Sequence, residues 1–256
     1  MIHPVWRVVG AAVPGTAHRA RNLGCQDAFA YRVLPQGALV IAVADGAGSA
    51  ERAADGARGA VEQARAFLET TLTDHAPADD AAWRALMRDA FRAARDALTQ
   101  LGATAQLPVR AFATTLTCAI LVADRLIVAQ LGDGAVIAQT ARGAYVLAAT
   151  PQRGEYANEA YLLSMPGALD QIVVTLSDQP LDALAVMTDG LLRLALQLPG
   201  YAPFPKFFEP LFAFAAEAQN ANASAELAAF LDSERVCART DDDKTLVLVA
   251  RQAVPA

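Results

Sequence analysis

Lysine is scarce in this 256-residue chain, and its 21 lysine and arginine residues lie scattered. Lysine occurs only at Lys206 and Lys244, and no stretch concentrates lysine and arginine into a stripe. The formal net charge is −6 at pH 7. Because proteins bind nucleic acid through clustered lysine and arginine that displace the counterions of phosphates, the sequence predicts no nucleic-acid partner.

Cysteine and long apolar runs are also in short supply. Cys25, Cys118 and Cys237 are odd in number and have no CxxC spacing, which argues against a disulfide framework and against a thiolate zinc site. No apolar run approaches the roughly 18 residues of a membrane-spanning helix, and the segment 1–15, with Arg7 as its one early charge, is typical of a first strand. The sequence therefore predicts a cytoplasmic protein with no membrane partner.

Apolar residues, in contrast, are plentiful. They make up 54% of the chain, against 19% charged residues. That balance is typical of a well-packed globular protein, and a chain of this length can bury a core that needs no disulfide to persist. We therefore expect residues 1–256 to form a single domain.

Short runs rich in valine, alanine and aromatic residues predict strands, and apolar residues at three- and four-residue spacing predict helices. The predicted strands lie at 6–13, 28–34, 38–45, 172–177, 183–189 and 245–250, with a four-stranded antiparallel meander over 114–150. Helices are expected at about 50–73, after the break at 75–80, and near 190–198, 206–218 and 223–232. The segment 151–170 has no periodicity and is predicted to be a long excursion or flap.

The grouping of these elements indicates the fold class. Strands that come in runs, with the helices inserted as pairs, favour α+β over an alternating α/β fold. The near-continuous apolarity of 38–44 predicts a strand covered on both faces. We therefore predict a four-layer α-β-β-α sandwich, in which two mainly antiparallel sheets are flanked by helix pairs.

Four short strings place an aspartate beside an apolar run: CQDAF at 25–29, VADGAG at 43–48, MTDGL at 187–191 and DDDKT at 241–245. An aspartate at the end of a buried strand is held rigidly while its carboxylate reaches water, which suits a hard cation such as Mg²⁺ or Mn²⁺. Four carboxylates brought together would repel one another strongly unless cations lay between them. Asp-Gly is also a common turn signal, so a set of unrelated tight turns is the alternative.

The order and local spelling of these strings resemble the metal-dependent type 2C serine/threonine protein phosphatases, in their bacterial branch. The resemblance runs from about residue 8 to residue 249 and includes GTAHRARNLGCQDAF, VADGAGSAERAADGA, ATTLTCAIL, AQLGDG, GEYANEAYLL, MTDGL and DDDKTLVLV. It implies hydrolysis of phosphoserine and phosphothreonine in a protein substrate by a water that bridges two Mn²⁺ or Mg²⁺ ions. It also implies a cognate serine/threonine kinase as a partner.

The resemblance assigns roles residue by residue. Asp45 matches the acid that bridges both ions. The Gly46 carbonyl matches a ligand of the second ion, at a position where the absence of a side chain lets an ion come close. Asp189 and Asp242 match the other two acids on the first ion, and Asp27 matches the acid that orients metal-bound waters.

Two more residues are assigned in the same way. Asp133, in the string LGDG, matches a position that some relatives use for a third and weaker metal ion. Arg21 matches the arginine that binds phosphate through its planar fork. Arg21 lies six positions before Asp27, one more than in many relatives, so either Arg19 takes this role or a backbone bulge accommodates the extra residue. The remaining alternative is that Arg21 is a surface arginine with no role in binding.

Two positions depart from the family pattern. Relatives often carry a histidine soon after the Asp-Gly pair and an acid just before the first aspartate, where this chain has Ala47 and Gln26. The missing histidine removes a candidate general acid, whose contribution to the rate is typically about 10²- to 10⁴-fold. His18 could replace it, although a lone histidine beside a strand is more often structural. Cys25 is followed by no phosphate loop ending in arginine, which argues against a cysteine phosphatase.

The sequence therefore predicts a serine/threonine protein phosphatase, with two alternatives. One is a weakly active or pseudo-phosphatase that binds a phosphoprotein as a regulatory module, because Ala47 and Gln26 replace active groups. The other is a non-catalytic acidic interaction domain, in which the Asp-Gly pairs are hairpin turns. The retention of all four metal-binding acids favours the enzyme, and we expect the segment 151–170 to contribute to substrate selectivity.

Overall fold

The structure of the protein is a computed structural model that describes residues 6–152, 160–218 and 222–252. The strands are β1 Trp6–Val13, β2 Ala28–Val33, β3 Leu39–Ala44, β4 Leu116–Val122, β5 Arg125–Leu131, β6 Ala135–Thr140, β7 Tyr145–Ala149, β8 Val173–Ser177, β9 Leu181–Met187, β10 Leu196–Gln197, β11 Ala202–Pro203 and β12 Lys244–Arg251. The α-helices are α1 Thr16–Ala20, α2 Ala53–Asp74, α3 Asp80–Ala105, α4 Leu192–Ala195, α5 Pro205–Glu217, α6 Ala223–Leu231 and α7 Glu234–Cys237. Short 3₁₀ turns occur at Val109–Phe112, Ala168–Gln171 and Asp189–Leu191.

Ten of the strands form two five-stranded antiparallel sheets. The first sheet has the order β2-β3-β4-β5-β8, and the second sheet has the order β1-β12-β9-β6-β7. Every neighbouring pair in both sheets runs antiparallel. In such a sheet the start of one strand lies beside the end of its neighbour, which brings distant parts of the sequence to one edge.

Three apolar cores separate four layers. One core fills the space between the first sheet and the helices α2 and α3, and another lies between the second sheet and the helices α5 and α6. The third core lies between the two sheets and contains Ile41 of β3 and Val247 of β12. The predicted α+β sandwich, with helices on both outer faces, is therefore confirmed.

Strand β3 illustrates how the apolar pattern produces this layering. Side chains alternate between the two faces of a strand. Val40 and Ala42 pack in the core beneath the helices, whereas Leu39, Ile41 and Val43 pack between the sheets. Because both faces of the strand are covered, its sequence is apolar at every position, as predicted.

The predicted meander over 114–150 is wrong. Strands β4 and β5 pair in the first sheet, and β6 and β7 pair in the second sheet, so the four strands form two hairpins in different sheets. The chain crosses between the sheets at 132–134, where Gly132 has a φ of +121°. The period-two pattern that predicts a strand does not specify which sheet the strand joins, so the crossover was not visible in the sequence.

The predicted helix near 190–198 is shorter than expected. The segment forms the turn at Asp189–Leu191 and the single-turn helix α4, after which β10 pairs with β11. Pro199 and Gly200 follow at once, and neither residue continues a helix. The other predicted helices correspond to α2, α3, α5 and α6, and none of the helices in the described residues is long and apolar enough to cross a membrane.

The predicted flap at 151–170 is only partly described, since residues 153–159 lie outside the described ranges. Gln152, at the start of the segment, is bonded both to the crossover between the sheets and to the residue that follows the segment. Its Oε1 accepts a hydrogen bond from the Gly132 amide at 2.7 Å, and its Nε2 donates to the Gln171 carbonyl at 2.9 Å. Farther along, the Leu163 amide donates to the Thr114 carbonyl at 2.8 Å, and the Leu163 side chain is buried. The second half of the segment is therefore packed against the first sheet.

Candidate functional site

Five predicted site aspartates lie where strands of the two sheets begin or end. Asp45 follows β3 and Asp189 follows β9, whereas Asp27 precedes β2 and Asp242 precedes β12. Asp133 lies in the crossover between β5 and β6. Ala28 pairs with Ala44, and Met187 pairs with both Leu246 and Ala135, so antiparallel pairing brings these strand ends together.

Three of these carboxyl groups converge. Asp45, Asp133 and Asp189 each present a carboxylate oxygen, and the three oxygens lie within 4.8 Å of one another. All three side chains are partly buried. The interpretation of the Asp-Gly pairs as unrelated turns is therefore excluded for this group, and Asp133, which the resemblance assigns to a third and weaker ion, lies in the same cluster as Asp45 and Asp189.

The cluster opens into a cavity of about 670 Å³. Asp242, Gly46 and Arg21 line this cavity together with the three clustered acids. Arg19 instead bonds to the Asp232 carboxylate and to the Pro14 carbonyl. Of the two arginines considered from the sequence, Arg21 is thus the one that borders the acids, and it has no ion-pair partner among the described residues.

Asp27 does not line this cavity, and its side chain is buried. Its Oδ2 accepts a hydrogen bond of 2.8 Å from the Thr188 hydroxyl, and the Thr188 Oγ1 accepts a bond of 3.0 Å from the Thr245 amide. Burial raises the pKa of the Asp27 carboxyl to about 8, although the bond from Thr188 opposes the shift. Of the predicted residues, Asp27 therefore touches the cavity least directly.

The clustered acids resist ionisation in the absence of a cation. Burial is the largest cause, and it raises the pKa of Asp45 well above its usual range, with further increases from the charges of Asp27, Asp189 and Asp133. Burial and the charges of Asp133 and Asp242 raise the pKa of Asp189 to about 7. The pKa of Asp133 is shifted upward too, again mainly by burial. A cation bound among these carboxyl groups would favour their ionised forms and so lower their pKa values.

Two threonines and a glutamine that the sequence analysis did not identify form hydrogen bonds with the backbone that carries the clustered acids. The Asp45 amide donates to the Thr115 hydroxyl at 2.9 Å, and the Asp45 carbonyl accepts from the Thr114 hydroxyl at 2.8 Å. On the other side, the Gln130 side chain donates to the Gly134 carbonyl at 2.6 Å and so braces the crossover that carries Asp133. The only sequence signal for these residues is that they lie beside strand ends next to the acids.

Asp243 is a further residue that the sequence did not indicate. It is 3% exposed, and its carboxylate accepts hydrogen bonds from the amides of Gly15 and Gln26, both at 2.6 Å. The ring Nδ1 of His18 lies 2.7 Å from its Oδ1. Asp241 and Asp242 are exposed, so the three neighbouring aspartates of one string have different environments.

Cys25 does not have the properties of a nucleophile. Burial raises the pKa of its thiol, and the charges of Asp27 and Asp243 raise it further. A catalytic cysteine needs the opposite shift, because the thiolate is the reactive form. This environment agrees with the argument from the sequence against a cysteine phosphatase.

The donor set fits a hard divalent cation. All the side-chain donors at the cluster are carboxylate oxygens, which Mg²⁺ and Mn²⁺ prefer. Asp189 Oδ1 is buried without a hydrogen-bond donor among the described residues. At Gly46, a Cβ atom would come within 2.6 Å of the Ala53 carbonyl oxygen, so the backbone beside the cluster has no room for a side chain.

Comparison with known proteins agrees with this arrangement. The family model for protein phosphatase 2C matches residues 14–232. Serine/threonine-protein phosphatase 3 of Escherichia coli strain K12 is 34% identical over 257 residues, which cover 95% of this chain and 97% of that protein.

Solved structures show the same fold at low sequence identity. A serine/threonine phosphatase of Staphylococcus aureus has a TM-score of 0.65 at 12% identity, covering 99% of this chain and 98% of that one. The S. agalactiae serine/threonine phosphatase has a TM-score of 0.65 at 16% identity, covering 96% of this chain and all of that one. The predicted family and the predicted enzyme class are both confirmed, since the chain belongs to the protein phosphatase 2C family.

Proposed function

We propose that this protein hydrolyses phosphoserine and phosphothreonine in protein substrates, with Mn²⁺ or Mg²⁺ as its cofactor. The observation that carries the proposal is the convergence of Asp45, Asp133 and Asp189 to within 4.8 Å at a cavity that also contains Arg21. Carboxylates gathered in this way are costly unless cations neutralise them.

The residues fit a site for two ions. Asp45 would be shared by both, Asp189 and Asp242 would hold the first and the Gly46 carbonyl the second, and Asp27 would orient water from behind. When bound, such cations supply positive charge that attracts phosphate and make water a better nucleophile. Asp133 would hold a third ion beside the first two, and the distance of no more than 4.8 Å from its carboxylate to those of Asp45 and Asp189 supports a role in metal binding.

Arg21 would bind two phosphoryl oxygens through its guanidinium fork, and this role can be tested against its neighbour. We expect Arg21→Ala to lower kcat/KM for a phosphothreonine peptide by about 10- to 100-fold, since a hydrogen bond to a charged group contributes roughly 1.5–3 kcal/mol. Arg19→Ala, which removes a surface pair with Asp232, is the matched control and should change kcat/KM little. A comparable loss in both variants would contradict the assignment.

Substrate selectivity is proposed to come from the segment 151–170. Ala160, Leu162 and Met165 of this segment line the cavity, so residues beyond the phosphorylated one would meet them. A cognate serine/threonine kinase is the proposed source of the phosphoprotein. We further propose that the chain acts as one domain in the cytoplasm, where a reducing environment suits its free cysteines Cys25, Cys118 and Cys237.

The direct test is hydrolysis of matched phosphoserine, phosphothreonine and phosphotyrosine peptides by the purified chain. We expect turnover of the first two with Mn²⁺ or Mg²⁺, little turnover of phosphotyrosine, and none in the presence of a chelator. Metal binding measured by calorimetry without turnover of any peptide would favour the pseudo-phosphatase instead. Absence of both binding and turnover would contradict the proposal.

A further inference from the structure

His18, which lines the acidic cavity, forms a buried polar pair with Asp243, which does not line it. The Nδ1 of His18 and the Oδ1 of Asp243 are 2.7 Å apart, and the two side chains are only 9% and 3% exposed. His18 lies on the cavity wall beside Arg21, Asp45 and Asp189. An imidazole that borders a reaction site and is paired with a buried carboxylate is suited to proton transfer.

The carboxylate of this pair is fixed. Asp243 accepts two amide hydrogen bonds of 2.6 Å, from Gly15 and Gln26, in addition to its contact with His18. The backbone at Gly15 packs closely against residues 241–243. A Cβ atom on Gly15 would lie only 2.2 Å from the Asp241 carbonyl oxygen, so no larger residue fits there. Because each oxygen of the Asp243 carboxyl group already accepts a bond from an amide, the contact with His18 is assigned to the Nδ1–H as donor, which sets the orientation of the ring.

The second ring nitrogen is available to a substrate. Nε2 of His18 has no hydrogen-bond partner among the described residues, the side chain keeps 9% of its exposure, and the residue lines the cavity. Apart from His18, the nitrogen-bearing side chain on this wall is Arg21, and a guanidinium does not give up its proton. An imidazole nitrogen, in contrast, can both accept and donate a proton.

The position next to the Asp-Gly pair cannot supply a proton. Ala47 lines the cavity there, and its amide donates to the Ala113 carbonyl at 3.0 Å. Four of the five carboxyl groups that line the cavity, those of Asp45, Asp133, Asp189 and Asp242, are proposed metal ligands and cannot serve as acids while they hold cations. The fifth, that of Asp241, is exposed to solvent and has no hydrogen bond to any described residue that would fix it beside the site. The imidazole of His18 is therefore the remaining candidate for protonating a leaving oxygen.

We propose that His18 is the general acid of the reaction and that Asp243 is its positioning residue; the inference rests on the proposed phosphatase function. As the ester P–O bond breaks, its electron pair stays on the seryl or threonyl oxygen, which takes the proton from Nε2 and leaves as the alcohol. Water adds to phosphorus and releases a proton to solvent, and solvent returns a proton to the imidazole. The net reaction is ester plus water to alcohol plus inorganic phosphate.

The test is the dependence of the rate on the leaving group. His18→Asn retains a side-chain amide that can donate to Asp243, but it has no acidic proton for the substrate. We expect kcat on a phosphothreonine peptide and on phenyl phosphate to fall by about 10²- to 10⁴-fold. On para-nitrophenyl phosphate, whose phenolate leaves without a proton, kcat should fall less than about 5-fold, because the general-acid contribution does not apply.

Controls separate this role from a structural one. His75→Asn makes the same change at an exposed histidine and should leave every rate unaltered. Asp243→Asn should reproduce the leaving-group dependence of His18→Asn without touching the ring, and it serves as the second test if His18→Asn does not fold. Thermal unfolding of each variant checks that the fold persists.

Equal losses on the para-nitrophenyl and phenyl esters, in either His18→Asn or Asp243→Asn, would overturn the inference. So would unchanged rates on the phosphothreonine peptide. Failure of the proposed function gives a different result, since the unaltered protein would then hydrolyse none of these esters with Mn²⁺.

Discussion

Replacing Asp45 by asparagine should lower the Mn²⁺-dependent hydrolysis of para-nitrophenyl phosphate by at least about 10³-fold, the scale expected when a principal charge-stabilising group of a reaction site is lost. Asparagine has the size of aspartate but not its charge, and Asp45 is the acid that would be shared by both ions. Because the carboxylate lies within 4.8 Å of those of Asp133 and Asp189, one substitution should weaken the whole cluster. Steady-state kinetics over a range of Mn²⁺ concentrations measures the effect.

Two comparisons sharpen this prediction. Asp189→Asn should cause a loss of similar size, since Asp189 belongs to the same group. Asp96→Asn, on the exposed face of α3, makes the same chemical change far from the cluster and should leave the rate within about twofold of the original, as surface substitutions usually have small effects. Retention of more than a tenth of the activity by Asp45→Asn would exclude the proposed role of the cluster.

The metal-free protein should become less stable as the pH rises. Asp27 and Asp189 have pKa values of about 8 and about 7 in the folded chain, and the pKa of Asp45 is raised in the same direction. An unfolded aspartate has a pKa near 3.9, so between about pH 4 and pH 8 the folded state binds more protons than the unfolded state. Stability therefore falls as the pH rises through that window.

Thermal unfolding in a chelator measures this dependence. We expect Tm to be lower at about pH 8 than at about pH 5 by at least about 10 °C, since the folded state holds roughly two extra protons over much of this range and about 1 kcal/mol corresponds to about 2–4 °C in a chain of this size. Asp45→Asn should reduce the pH dependence, because it removes one of the repelling charges, and Asp96→Asn should not. Adding Mn²⁺ at the higher pH should raise Tm in the original chain and much less in Asp45→Asn.

A rise in the metal-free Tm from pH 5 to pH 8 would contradict this account, because it would mean that the acids ionise readily in the folded chain. An equal Mn²⁺-induced increase in the original chain and in Asp45→Asn would place the bound ion elsewhere.

The layers of the fold could be predicted from the sequence, because a strand that is buried on both faces is apolar at every position. Strand β3 is apolar at all six positions and is covered by helices on one side and by the second sheet on the other. The stripes of α2 and α3 were equally clear. The crossover between β5 and β6 could not be predicted, since the residue pattern of a strand is the same whichever sheet it joins.

The acids of the site could be proposed because each lies where a strand begins or ends. The burial and the hydrogen bonds of these acids could not be predicted. Within the string at 241–243, Asp242 is exposed at the cavity and Asp243 is buried under two amides and an imidazole, a difference fixed by the packing of residues 15–18 against that string. Similarly, the contacts of Thr188 and Thr115 depend on register between strands that are far apart in sequence.

Anomalous scattering from crystals soaked with Mn²⁺ tests the central claim most directly. We expect two manganese peaks about 3.5–4 Å apart, with the Asp45 carboxylate between them and Asp189, Asp242 and the Gly46 carbonyl around them. Crystals of Asp45→Asn grown and soaked in the same way should lose at least one of the two peaks. Manganese bound only outside the cavity, or no manganese bound at all, would contradict the account.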